Sequence, residues 1–516
     1  MSNFIRKYEE KIIGVMNGFD RLVLRGRIMS LATVGGMMSH LSRASVLLKD
    51  FADHAESMTA MLKQASYEEA RRLGRQIRYI ESSAVRKEEE ARGIMEAEGI
   101  SEGLICTLTC VEPCQAVQIV KNRESKRLEL AMRMRKCLHI YHYWIDPVFG
   151  FMSARIQTWF PFTIHVCLNG REWLARRMAE KRMRFERRDN CFTRIANVAA
   201  AQGLMDGMLD ISWPCAMEKV VQRVNPAHGE MFGKQHGRYY WYAHQSEWAT
   251  DVMFRDREAL AGMYPQLVSG GIATFSSEDV MRFLGRIPRG KFKGEVISHW
   301  RQRPEGVRLK HVMNGNSVKV YDKQGSVLRV ETTINNPYVF KAYRTREGDS
   351  GGSKRWRVMR KAVADLHRRA QVSQACNERY LDALSCIDAD TPVRALVEPV
   401  CQPVKMKGRR VRALHPWAGE DRLLLQTVAR GEFSINGFRN SDLLPILHST
   451  DGLSHDEKRR LSAGITRQLR LLRAHGLIKK VPRTYRYTLT FKGRRIITAI
   501  LQYQNLSLQQ LHREAA

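Results

Sequence analysis

The stretch LRLLRAHGLIKKVPRTYRYTLTFKGRRI, residues 469–496, carries the clearest structural pattern in the chain. Its first part continues a helical periodicity that begins after Ser454 and puts Ile465, Leu469 and Leu472 on one face, with Gly476 as the stop. IKKVPRTYRYTLT then reads as a two-stranded hairpin turning at Pro482-Arg483-Thr484, and KGRRIITAILQYQ as a closing helix. Upstream, EDRLLLQTVARGEF and RNSDLLPILH read as two further helices. The order is helix, helix, helix, hairpin, helix. From Lys458 to Arg495 there are thirteen Lys or Arg and no Asp or Glu. Such a face suits phosphates, because each one neutralised releases bound counterions.

This order, with Leu-Arg-x-His-Gly-Leu-Ile leading into the hairpin and Tyr-x-Leu-Thr-x-x-Gly-Arg leading out, resembles the winged helix-turn-helix of the MarR-like bacterial regulators. The resemblance implies that the third helix enters the major groove and the wing tracks the backbone. On that helix Thr466, Arg467 and Arg470 can point together, and the two arginines suit bidentate contact with guanine. Arg473, Lys479, Lys480 and Arg486 would meet phosphates, and Arg483 at the wing tip suits a narrow minor groove.

Residues 391–418 precede this region and hold four prolines and the basic run 405–410, which predicts a linker to a domain spanning 419–516. Further upstream three regions differ in character. Residues 1–100 read as a strand (RLVLRG, after a turn at Asn17-Gly18) and a helical arm. Residues 101–190 read as three strands with a basic helix: a strand ending near Pro113, a hairpin turning at Asp146-Pro147, then PFTIHVCLNG and the helix REWLARRMAEKRMRFERR. Residues 191–390 read as helical, YYWYAHQSEWATDVMF included, with a β-meander turning at Asn314-Gly315 and Gln324-Gly325. The expected class is α+β, multi-domain, a mixed helical and β-meander body with a C-terminal winged helix-turn-helix.

Composition narrows the partners. The 516 residues hold 85 Lys and Arg against 53 Asp and Glu, a formal net charge of +32. So large an excess points to an anionic partner, DNA or RNA. The apolar runs are too short to span a bilayer, the start lacks a signal-peptide core, and the ten cysteines suit free thiols. The expected setting is the bacterial cytoplasm, on the nucleoid when bound. The oligomeric state is not legible.

The whole chain is also similar to a multicopy bacterial family of winged-helix proteins, through stretches such as GFDRLVLRG (18–26), LTCVEPC (108–114) and HQSEWATDVMF (244–254). Multiple copies imply a mobile element. A metal-dependent nuclease or transposase needs two to four carboxylates converging on Mg²⁺. The candidates are Asp20 and Asp146, at turns; Glu112; Glu247 and Asp251, four apart on an expected helix; and Glu331, in a strand. Tyr321 loosely resembles the nucleophile of phage-type replication initiators, but His139-Ile-Tyr-His142 is one residue too long for their metal motif, and a strand would put the two His on opposite faces. Cys106, Cys110 and Cys114 form a single row in an apolar strand and read as buried thiols. Tyr141, Tyr143, Trp144, Trp159, Tyr239, Tyr240 and Trp241 could stack on bases or pack in the core. Basic residues at 282–310, among them Lys291, Lys293, Arg301 and Arg303, read as a flexible backbone clamp.

Three functions follow: a mobile-element DNA-binding protein with a nuclease- or recombinase-like body, a large winged-helix regulator that senses a ligand, and an RNA-binding or RNA-guided factor.

Overall fold

The computed structural model describes residues 2–233, 238–285, 295–303, 306–346, 352–385, 393–406, 408–430, 433, 437–449, 452–482 and 484–505. The chain is α+β and multi-domain. It divides into a larger unit, residues 10–255 and 323–377, and a smaller one, residues 1–9, 256–322 and 378–516.

In chain order the strands are β1 Ile12–Arg27, β2 Gln76–Tyr79, β3 Gly103–Lys121, β4 Leu128–Asp146, β5 Gly150–Gln157, β6 Ile164–Asn169, β7 Phe185–Arg188, β8 Cys191–Ile195 and β9 Tyr240–Phe254. They continue with β10 Val296–Arg303, β11 Gly306–Met313, β12 Asn316–Lys323, β13 Val327–Ile334, β14 Lys341–Arg344, β15 Arg355–Val358, β16 Val404–Met406, β17 Arg409–Val411, β18 Ile478–Lys480 and β19 Tyr487–Leu489.

The larger unit is built on the run β13-β9-β1-β6-β5-β4-β3-β2. All its pairs are antiparallel except β2 with β3. Alternation sends Leu22, Leu24, Ile140, Met152, Ala154, Ile156, Ile164, Val166 and Leu168 into the core. The helix Phe51–Arg72 adds Phe51, Ala55, Met58 and Leu62, a stripe at helical spacing. The helix Lys87–Ala97 packs on β3, and the helices Gly170–Glu180 and Val198–Asp206 pack on β1.

In the smaller unit β10, β11 and β12 form an antiparallel meander, and Asn314 and Gly315 turn it with positive φ, as the Asn-Gly signal predicts. Its C-terminal part runs through helices Gly419–Val428, Asn440–Leu447 and His455–Ala474, the hairpin β18–β19 and the helix Phe491–Asn505. Ser454 and Glu457 close a capping box on the third of these helices. Leu424, Leu443, Ile465, Leu469, Leu472, Ile478 and Ile496 share one core.

Several expectations are corrected. Residues 240–254 are the strand β9, hydrogen-bonded on both sides, and not a helix. Asn17-Gly18 lies within β1: the Thr250 hydroxyl donates to Asn17 Oδ1 at 2.8 Å, and a Cβ on Gly18 would meet Met205 Cε at 2.4 Å. β3 continues through Pro113 to Lys121, at a stretch where β2 no longer pairs with it, so the missing N–H disrupts no second ladder. The helix expected over REWLARRMAEKRMRFERR stops at Glu180, and Phe185–Arg188 pairs with β8. Residues 393–414 are no bare linker: they hold the helix Val393–Val397 and the hairpin β16–β17, and Val397, Val400 and Leu414 join the C-terminal core. Arg301 lies on β10, opposite Arg308, and not on a loop.

Candidate functional site

β9 lies between β1 and β13, and the register of these strands brings distant carboxylates together. Glu247 lies opposite Arg21 on one side and Thr333 on the other, and Glu331 lies opposite Ala249. Residues two apart on a strand share a face, so Glu331 and Glu247 do. β1 carries an irregularity between Phe19, opposite Trp248, and Arg21, opposite Glu247, and Asp20 is the extra residue. One carboxylate oxygen from each of Asp20, Glu247 and Glu331 lies within 4.8 Å of the other two, a spacing that suits ligands of one cation. Asp20 and Glu331 are buried, and Glu247 is half-buried. The backbone at Asp20 is set by a close approach: a Cβ on Gly170 would lie 1.8 Å from the Phe19 carbonyl oxygen.

Asp251 extends the same face but is held by arginines. Arg329 Nε donates to its Oδ1 at 2.5 Å, and Arg171 Nε to its Oδ2 at 3.1 Å. Burial pushes the Asp251 carboxyl up, but the Arg329 and Arg171 guanidiniums outweigh it and hold the group below its ordinary value. Arg329 also donates to Asp20 Oδ1 at 3.0 Å, where Asn190 Nδ2 donates at 2.7 Å. Asp251 therefore anchors the arginine that steadies Asp20.

The other two acids lie elsewhere. Glu112, on β3, is 3.0 Å from Lys87 Nζ and 2.6 Å from Arg155 Nη1. Asp146 accepts the Val148 and Phe149 amides at 2.8 and 3.0 Å, the behaviour of a turn aspartate, and pairs with Arg223 at 2.6 Å. Of the six carboxylates, three converge, Asp251 supports them, and Glu112 and Asp146 do not join them.

From Glu247 the same face runs on through the pairs Val23 with Gln245, Arg25 with Tyr242 and Arg27 with Tyr240, about 20 Å along β1 from Arg21 to Arg27. His165 lies beside Arg25, and Arg155 beside His165. Arg25, Arg27, Arg360, Lys361, Tyr240, Tyr242 and Tyr338 line a cavity of about 430 Å³. Burial and then the neighbouring Arg369, Arg25 and Arg27 lower the Lys361 ammonium, and burial, Arg27 and Arg155 lower the Arg25 guanidinium against the pull of Tyr242. This end of the face is electropositive. Of the seven aromatics proposed for base stacking only Tyr240 is exposed; Tyr141, Tyr143, Trp144, Trp159, Tyr239 and Trp241 are buried.

In the C-terminal region Arg467 and Arg470 are exposed and line a cavity of about 380 Å³ with Arg409, Arg410 and Arg412. Thr466 is engaged with the preceding helix, accepting from Asn440 Nδ2 at 2.8 Å and donating to the Ser462 carbonyl at 3.0 Å. Arg473 and Lys480 are exposed and Lys479 is half-buried, while Arg486 donates to the Gly437 carbonyl at 3.3 Å. Lys291, Lys293, Arg483 and the Arg303 side chain lie outside the described residues.

Tyr321 sits on β12 in the smaller unit, whereas the acids belong to the larger. His139 and His142 occupy opposite faces of β4. Sequence reasoning missed Arg171, Asn190 and Arg329 and the basic groups Arg25, Arg27, Arg360 and Lys361. Two signals pointed to some of them: Arg329 and Glu331 interrupt the otherwise apolar start of β13, and Arg21, Arg25 and Arg27 share one parity on β1. No protein-family model and no curated protein matches the chain.

Proposed function

We propose that the protein is a divalent-cation-dependent phosphodiesterase that acts on nucleic acid, with a nuclease- or recombinase-like body and a C-terminal winged helix-turn-helix that selects the site. The convergence of Asp20, Glu247 and Glu331 from three neighbouring strands carries this reading. Oxygen ligands at that spacing suit Mg²⁺ or Mn²⁺. The cation would supply an activated water and neutralise charge on the phosphate. The chain's own part is to hold these groups in place. Arg329 and Asn190 fix Asp20 through Oδ1, which leaves Oδ2 to the cation. Arg21, Arg25 and Arg27, spaced along one face, give the phosphates a positive track, and Tyr240 and Tyr338 offer exposed rings to bases. The winged-helix reading is supported by the order, among the described elements, of helices Gly419–Val428, Asn440–Leu447 and His455–Ala474, the hairpin β18–β19 and the helix Phe491–Asn505, and by the exposed Arg467, Arg470, Arg473 and Lys480.

The test incubates the full chain with end-labelled single-stranded DNA, duplex DNA and RNA in Mg²⁺ or Mn²⁺. Cleavage that stops with chelator and falls by at least about 100-fold in Glu331→Gln and Asp20→Asn is expected. Cleavage of RNA alone would move the substrate to RNA. No cleavage of any of the three in either cation would overturn the enzymatic reading.

A cavity of about 810 Å³, lined by His142 and Trp144 of β4, Ser66 and Arg72 of one helix and Lys219 and Arg223 of another, favours a second reading, a regulator whose body senses a ligand. DNA affinity that shifts with a small molecule, without cleavage, would select it.

A further inference from the structure

β3 and β4 form a long antiparallel ladder in which Glu112 lies opposite Cys137 and Cys114 opposite Arg135. Cys114 and Cys137 are therefore diagonal neighbours on one face, and His139, two residues beyond Cys137, shares that face. Cys114 Sγ, Cys137 Sγ and a His139 ring nitrogen all lie within 4.8 Å of one another. Tetrahedral zinc with bonds of about 2.0–2.3 Å sets its ligand atoms about 3.5–3.8 Å apart, a spacing that small side-chain rotations of this set can reach. We propose that Cys114, Cys137 and His139 form a binding site for a thiophilic divalent cation, Zn²⁺ above all.

The orientation of His139 supports the site. His139 Nδ1 lies 3.2 Å from the Cys137 carbonyl oxygen. A carbonyl only accepts, so Nδ1 carries the proton and Nε2 presents its lone pair, the arrangement that zinc-binding histidines use. Two thiolates and Zn²⁺ make a site of zero net charge beside Arg135, which lies opposite Cys114. Glu112 is committed to Lys87 and Arg155, so the fourth position would fall to solvent. The donor set is soft, unlike the all-oxygen set of Asp20, Glu247 and Glu331, and the two sites should sort metals differently.

The full chain, purified reduced and stripped with chelator, is titrated with Co²⁺ and then Zn²⁺. One equivalent of Co²⁺ should raise thiolate-to-cobalt charge-transfer and tetrahedral d–d bands, and one equivalent of Zn²⁺ should bleach them. Cys114→Ser and Cys137→Ser should abolish the charge-transfer band or cut it by about half, and His139→Gln should weaken Zn²⁺ binding at least tenfold. Glu331→Gln, and Cys215→Ser at an exposed cysteine, should leave the bands unchanged. Should a variant fail to fold, thiol alkylation of the wild type decides: Zn²⁺ should protect Cys114 and Cys137 and not Cys215. The absence of thiolate bands together with no zinc protection would overturn the site. So would a Cys114–Cys137 disulfide that resists reduction in the folded chain.

Discussion

Asp251 is buried between two arginines, and its environment makes a sharp demand on substitution. Asp251→Asn removes the charge and leaves Arg171 and Arg329 without their shared counter-ion. The expected loss is about 3–5 kcal/mol of stability, read from the urea midpoint, because an uncompensated buried charge costs far more than the pair itself contributes. The folded-state carboxyl is held below its unfolded value, so the stability it adds is full above the unfolded pKa and lost as pH falls through the lower folded one.

Histidines set an earlier acid limit. Burial, with Arg155 and Arg25, pushes the His165 imidazole down to about 2, and burial pushes His139 and His142 down to about 4. An unfolded chain protonates each near 6.5, and the folded chain does not. Between about pH 6.5 and 4 the unfolded state binds the extra protons, so stability falls with pH by up to about 1.4 kcal/mol per unit for each histidine. Denaturant midpoints measured from pH 7.5 to 5 should decline throughout the lower half of that range. A flat profile would mean that these rings are protonated when folded.

At the scale of elements, the irregularity in β1 at Asp20 depends on the helix Gly170–Glu180 packing close beside it. Gly170→Ala would drive its Cβ into the Phe19 carbonyl, and a backbone atom cannot swing away as a side chain can. The expected cost is about 1–3 kcal/mol, accompanied by loss of Mn²⁺ affinity because Asp20 moves. Unchanged Mn²⁺ binding in a folded Gly170→Ala protein would show that the irregularity does not set the cluster. The same elements show what sequence could and could not reveal. The meander turn at Asn314-Gly315, the hairpin at Asp146-Pro147 and the capped helix after Ser454 rest on local chemistry, and all three were legible. β9 was not. Ala249 and Met253 share the face of Gln245, Glu247 and Asp251, Ser246 and Thr250 lie on the other face with Trp248 and Val252, and His244 is an extra residue in the register, so the alternation that marks a half-buried strand is blurred. Glu247 and Asp251 were singled out correctly for sharing a face, on the wrong element. Asp20 was assigned to a turn because Asn17-Gly18 signals one, and the tertiary approach of Met205 that accounts for Gly18 is invisible locally.

Across the whole molecule, a net charge of +32 suits the proposed nucleic-acid partner, and that binding should weaken steeply with salt. Neutralising Arg25, Arg27 and Lys361 together should lower the log–log salt slope for single-stranded DNA by about two to three units. In the C-terminal region, Arg467→Ala should cost about 1–3 kcal/mol at a preferred duplex site and relax sequence preference, whereas Lys479→Ala should weaken all sequences alike. Equal effects of the two on every sequence would argue against a reading helix. The order of the described C-terminal elements was legible because it is local, down to the hairpin β18–β19. The convergence of the acids was not, because it depends on strands far apart in sequence becoming neighbours in one sheet.

A crystal of the full chain soaked in Mn²⁺ shows whether Asp20, Glu247 and Glu331 hold a divalent cation. An anomalous peak about 2.1 Å from oxygens of all three carboxylates is expected, with Arg329 still bonded to Asp251. Density at saturating Mn²⁺ that shows no peak there, with the three carboxylates held by protein groups alone, would mean that they form no cation site.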